Sequence, residues 1–77
     1  MIHSRIVSDP SVMVGKPCVA GTRITVEHIL REMAAGATVA RLTEDYPSLG
    51  ADDIRQALEF AAEAVELERV YPGSTAA

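Results

Sequence analysis

Aromatic residues are scarce in this chain of 77 residues; only Tyr46, Phe60 and Tyr71 are present. Cysteine is scarcer still, with Cys18 alone, so no disulfide closes within the chain and no cysteine-rich zinc site can form. Positive charge is in deficit, at 7 Lys and Arg against 11 Asp and Glu, a net of −4. A chain of that balance does not bind nucleic acid through bulk charge. No apolar run reaches the ~20 residues of a membrane span, and MIHSRIVSDP holds no apolar stretch of signal-peptide length. These absences predict a cytoplasmic protein with a reduced thiol.

What is present is mostly small. Apolar residues make up 48% of the chain, but 12 of them are alanine. At 8.2 kDa the chain has room for one domain and a thin core, burying about 60% of its unfolded surface. Scaffolds of this kind usually need a staple. With disulfide and zinc excluded, a second chain is the remaining common route. The charge is also uneven. Residues 1–36 carry four cations against three acids, a net of +1, whereas residues 37–77 carry three against eight, a net of −5.

The amino-terminal part (residues 1–25) reads as an extended segment. Arg5-Ile6-Val7, Val12-Met13-Val14, Cys18-Val19 and Thr22–Val26 are β-prone runs separated by Asp9-Pro10, Gly15-Lys16-Pro17 and Ala20-Gly21. Pro10 and Pro17 restrict them to edge or irregular strands. A helical period follows over residues 26–70. Thr25 caps a helix of about Val26–Ala35 whose stripe is Val26, Ile29, Leu30 and Met33, with Gly36 as terminator. Thr38 caps a shorter helix, striped by Val39, Leu42 and Tyr46 and closed by Pro47. A third helix of about Ala51–Val70, capped by Gly50 or Ser48, carries two stripes. One is Ile54, Leu58, Ala61 and Val65; the other is Phe60, Ala64, Leu67 and Tyr71. Residues 71–77 form a short tail. The reading is one mainly α domain, a three-helix helix-turn-helix or homeodomain-like unit behind a short β segment.

Catalytic chemistry has little to stand on. Glu44/Asp45 and Asp52/Asp53 are adjacent pairs, which diverge on a helix and read as a solvated face and a helix start. His3 and His28 have no i, i+4 ligand partner, and Cys18 lacks an activating neighbour. No phosphate-binding glycine loop is present. The chain is therefore expected to be no enzyme, with no cofactor and no metal. The trihelix offers Arg23, Arg41, Arg55 and Gln56 as DNA-contacting residues. The acidic and apolar third helix offers a protein-binding face at Phe60, Glu63, Leu67, Val70 and Tyr71.

The string Gly15-Lys16-Pro17-Cys18-Val19-Ala20-Gly21-Thr22-Arg23-Ile24-Thr25-Val26 carries a resemblance, together with Ile6–Pro10, Ile29-Leu30, Gly36, Tyr46-Pro47 and Asp53-Ile54. Over about residues 5–62 the chain resembles the bacterial domain-of-unknown-function family 433, treated as a VapB-type antitoxin family. The resemblance implies a homeodomain-like trihelix and the antidote of a type II toxin–antitoxin pair. It implies a PIN-like nuclease toxin as partner, with operator DNA as a second ligand. Arg23 in this setting is a structural tie or a ligand for phosphate, carboxylate or a carbonyl cluster. Two features depart from the family pattern. Gly50 stands where Thr or Ser is usual, and the tail after Val70 is short. The expected assembly is a homodimer, paired through the amino-terminal strands or the third helix. The alternative function is a stand-alone DNA-binding transcriptional regulator.

Overall fold

The structure is a computed structural model and describes residues 3–68. Three helices follow a two-stranded antiparallel sheet: β1 (Ile6–Val7), β2 (Cys18–Val19), α1 (Val26–Ala34), α2 (Val39–Asp45) and α3 (Ala51–Glu68). In the sheet Ile6 faces Val19 and Val7 faces Cys18. Thr25 then bridges to Cys18 from the other side, and the Val26 N–H donates to the Pro17 carbonyl at 2.9 Å. The start of α1 is thereby fastened to β2.

The run Val12–Val14, expected as a strand, is a turn. Met13–Gly15 form a single 3-10 turn with φ of +49°, +49° and +83° at its three residues. Local hydrogen bonds outcompete strand pairing here. Asp9 Oδ1 accepts from the Ser11 N–H at 2.9 Å and the Ser11 hydroxyl at 2.8 Å. The Val12 N–H donates to the Asp9 carbonyl at 2.8 Å, and the Lys16 N–H to the Met13 carbonyl at 3.0 Å. The segment closes on itself instead of adding a third strand.

The helix boundaries follow from capping. Thr25 Oγ1 accepts the His28 N–H at 2.9 Å, and Thr38 Oγ1 accepts the Arg41 N–H at 3.1 Å. Gly36, at φ +108°, ends α1 in a conformation that a side chain would oppose. Gly50, not Ser48, begins α3: its carbonyl accepts from the Asp53 N–H at 3.1 Å, and Asp53 Oδ2 accepts the Gly50 N–H at 2.9 Å. The Asp53 side chain supplies one half of a capping box, and the Gly50 carbonyl stands in for the side-chain acceptor that glycine lacks.

The core is Val19, Val26, Ile29, Leu42, Leu49, Ile54 and Ala57, with Ile6, Leu30, Met33, Tyr46 and Phe60 among those closing around it. His28 Nε2 and the Tyr46 hydroxyl lie 2.8 Å apart, tying α1 to the end of α2. The two expected stripes of α3 are redistributed. Ile54 and Ala57 are buried, but Leu58 is 38% and Val65 59% exposed. The inward face instead includes two polar residues, Asp53 and Gln56. Their role fixes how the helix is rotated.

Candidate functional site

Asp53 and Gln56 hold the amino-terminal segment to α3 through Arg5. The Arg5 Nε–H donates to Asp53 Oδ1 at 2.7 Å, and the Arg5 backbone N–H donates to Gln56 Oε1 at 2.9 Å. Gln56 Nε2 donates to Asp52 Oδ2 at 2.8 Å. The Arg5 guanidinium holds the Asp53 carboxyl below the usual carboxylate range, against the opposing effect of burial. This cluster is a clamp. Both oxygens of the Asp53 carboxylate and both polar atoms of the Gln56 amide have partners in it.

The remaining cations are mostly spent on the same helix or its neighbour. Lys16 and Arg31 both pair with Glu27, at 2.9 and 3.2 Å. Arg41 pairs with Asp45 at 3.0 Å. Arg55 pairs with Asp52 at 2.7 Å and Glu59 at 3.0 Å. Among the described residues Arg23 is the one cation without a carboxylate partner.

Two grooves remain. The first, about 440 Å³, runs between α1 and α3 and is lined by Pro17, Val26, Leu30, Phe60, Ala61, Ala64 and Val65, with Glu27 and Arg31 at its rim. Its origin is the length of α3. Ala64 continues the inward line of Ala57 and Phe60, yet it is exposed. The helix runs past the body that covers its first turns while its face stays apolar. The second groove, about 460 Å³, is lined by Val7, Asp9, Val12, Cys18, Gly21, Thr22 and Arg23. The Gly21–Arg23 turn forms one wall, closed by the Thr22 hydroxyl donating to the Val19 carbonyl at 2.8 Å.

A family model described as a protein of unknown function, DUF433, matches residues 6–61. The chain belongs to the DUF433 family. It is similar to an uncharacterized protein, y4eO, of Sinorhizobium fredii, at 41% identity over 56 residues, which is 73% of this chain and 25% of that protein. The chain thus spans about a quarter of that relative's length. It is also similar to the crystal structure of a DUF433 member from Anabaena variabilis, with a TM-score of 0.76 at 28% identity, covering 82% of this chain and 62% of that one. The three helices and the two-stranded sheet are therefore the fold of this DUF433 domain.

The DUF433 fold distributes the residues named from sequence unevenly. Of the four DNA-contacting candidates, Gln56 is turned inward and 8% exposed, its amide engaged by Arg5 and Asp52. It is a clamp residue, because the half-buried backbone N–H of Arg5 finds its acceptor there. Arg41 and Arg55 are exposed but paired, and Arg23 lies on a different surface from the start of α3. Of the five partner-binding candidates, Phe60 lines the α1–α3 groove. Glu63 Oε1 lies 3.0 Å from His3 Nε2, and the His3 ring meets Phe60 edge to face. Val70, Tyr71 and the side chain of Leu67 lie outside the described residues. Sequence reasoning missed Arg5 as a clamp residue and Leu30, Ala61, Ala64 and Val65 as groove walls. The signal for the walls was present, since the inward period of α3 continues unbroken past Phe60. No group of three His, Cys, Asp or Glu side chains able to hold a metal occurs among the described residues. Nor is any described helix long and apolar enough to cross a membrane.

Proposed function

We propose that this DUF433 domain is an antitoxin-like protein-binding module, homeodomain-like in its trihelix, that neutralises a PIN-like nuclease toxin by direct contact. The observation that carries the reading is the α1–α3 groove. Its lining is apolar, and Val65 stands 59% exposed on it. An exposed apolar face on a small domain marks a protein contact. Glu27 is the acidic residue of its lining, and Glu59, Glu63 and Glu66 stand on α3 outside that lining, which suits a partner that carries basic side chains around its contact. The reading includes a homodimer, paired through the amino-terminal strands or α3.

The DNA-binding regulator draws less support. Phosphate contact needs unneutralised cations, each adding to the salt dependence. Arg41 and Arg55 are already neutralised, and Asp52 sits at the start of α3 where a recognition helix would meet the groove of DNA. Co-expression of the full chain with the product of an adjacent small nuclease gene tests the proposal. The expected result is a stable co-purifying complex without nuclease activity. A nuclease that stays free and active in the presence of excess chain overturns the toxin part.

A further inference from the structure

The groove beside the Gly21–Arg23 turn carries a second surface. Its floor is apolar, made by Val7, Val12 and the buried Cys18. Arg23 is exposed at its wall and, among the described residues, is the cation no carboxylate neutralises. Gly21, at φ +78°, has no heavy atom within 4 Å of where a Cβ would stand, so the turn faces open space.

The chain next to the floor is strained. Met13 and Val14 follow Val12 directly and hold left-handed backbone at φ +49°, with Met13 43% and Val14 86% exposed. Left-handed backbone costs about 1–2 kcal/mol per residue for a chain of L-residues. A β-branched residue in that region is a true outlier. Two exposed apolar side chains thus stand on left-handed backbone beside the groove. Strain of this kind clusters at binding surfaces.

We propose that this groove docks a short extended segment of a partner protein that carries a carboxylate beside an aliphatic side chain. The carboxylate pairs with Arg23, whose planar fork suits bidentate contact. The aliphatic group packs on Val7 and Val12. A nucleic-acid backbone fits poorly, because the groove supplies one cation and the carboxylate of Asp9 lines the same wall set. A single carboxylate matches the single free cation, and a peptide N–H can donate to the Asp9 carboxylate. The surface shares no lining residue with the α1–α3 groove, so it stands or falls apart from the toxin contact proposed there.

Nuclear magnetic resonance on the isotope-labelled full chain tests this. The probe is the capped peptide Ala-Val-Asp-Val-Ala, with the Asn-for-Asp peptide, inorganic phosphate and a short DNA duplex as controls. The Asp peptide is expected to shift the amides of Val7, Val12, Gly21 and Arg23 with a dissociation constant on the order of 1 mM. The Asn peptide, and the Asp peptide on Arg23→Gln, are expected to bind about tenfold more weakly. Arg23→Gln removes no side-chain hydrogen bond or ion pair among the described residues, so its spectrum stays folded; Val7→Thr, at an exposed β1 position, weakens binding through the aliphatic half instead. Val65→Glu leaves peptide binding unchanged, which separates this surface from the toxin groove. Absence of saturable shifts with the Asp peptide, equal binding of the Asn peptide, or saturable shifts at these residues with phosphate or duplex in preference to the peptide overturns the proposal.

Discussion

Asp53 does two jobs with one carboxylate. One oxygen accepts the Gly50 N–H and caps α3; the other accepts from Arg5 and holds β1 against the helix. Asp53→Ala removes this capping bond and takes from Arg5 its carboxylate partner, leaving its guanidinium bonded to the Ala20 carbonyl alone. From the cap alone the expected loss is about 1 kcal/mol, a fall in Tm of roughly 4–8 °C for a domain of this size, read by circular dichroism. The pH dependence follows from the same contacts. The Asp53 pKa is held below its unfolded value by Arg5, that of Asp52 by Arg55 and Gln56, and that of Glu27 by Lys16 and Arg31. A depressed carboxylate stabilises the fold at any pH above its unfolded pKa of about 4. That stabilisation is lost as the pH falls through the folded value. Tm should therefore hold steady from neutral to about pH 5 and decline below it, with a shallower decline in Asp53→Asn. Val14 presents the opposite case. Its left-handed backbone is tolerated better by asparagine, so Val14→Asn should raise stability by about 1 kcal/mol in denaturant melts. Neither residue announced itself in the sequence. Asp53 reads as a helix-start acid, and its inward turn depends on Arg5, which lies 48 positions away. Val14 reads as a strand residue, because propensity carries no information about the Asp9–Ser11 hydrogen bonds that bend the chain first.

At the scale of elements the helices were the legible part. Thr25, Thr38, Gly36 and Pro47 are local signals, and the bounds of α1 and α2 follow them within a residue. The expected end of α3 at Val70 lies outside the described residues. Its rotation was not legible. Hydrophobic periodicity assigned Leu58 and Val65 inward and could not place Asp53 and Gln56 there, because apolar stripes do not register a polar clamp to a distant strand. What the period does say is that α3 stays apolar beyond its cover. Val65→Glu and Ala64→Glu test the consequence. Both positions are exposed in the single chain, so the stability of the unassociated protomer should change by no more than about 0.5 kcal/mol. Affinity for the toxin should fall at least about tenfold, because a carboxylate is then desolvated on an apolar wall. Calorimetric titration against the purified nuclease reads this. Unchanged affinity in both variants would move the contact to another surface.

The whole molecule rests on few side chains. Among the described residues, Ile29, Leu42, Ile54 and Val19 are the large ones fully removed from water. Leu42→Ala should cost about 2–5 kcal/mol, a large share of what a small domain holds in reserve. The thin core and the apolar overhang of α3 together argue for assembly. If two copies complete one another, folding and association are linked, and stability depends on protomer concentration. A two-fold pair would set the same patch of each copy against the other. Ala61 and Ala64 are small enough to let two α3 backbones approach closely, while Glu59, Glu63 and Glu66 lie away from the groove lining. Light scattering of the full chain at micromolar concentration should then give twice the 8.2 kDa protomer mass. Tm should rise with concentration for the native chain and lose that dependence in Val65→Glu. A mass of one protomer, with a Tm independent of concentration, would mean that the core is sufficient alone. A dimer that survives Val65→Glu would place the pairing on the amino-terminal strands instead, leaving the α3 groove of each copy free for the toxin.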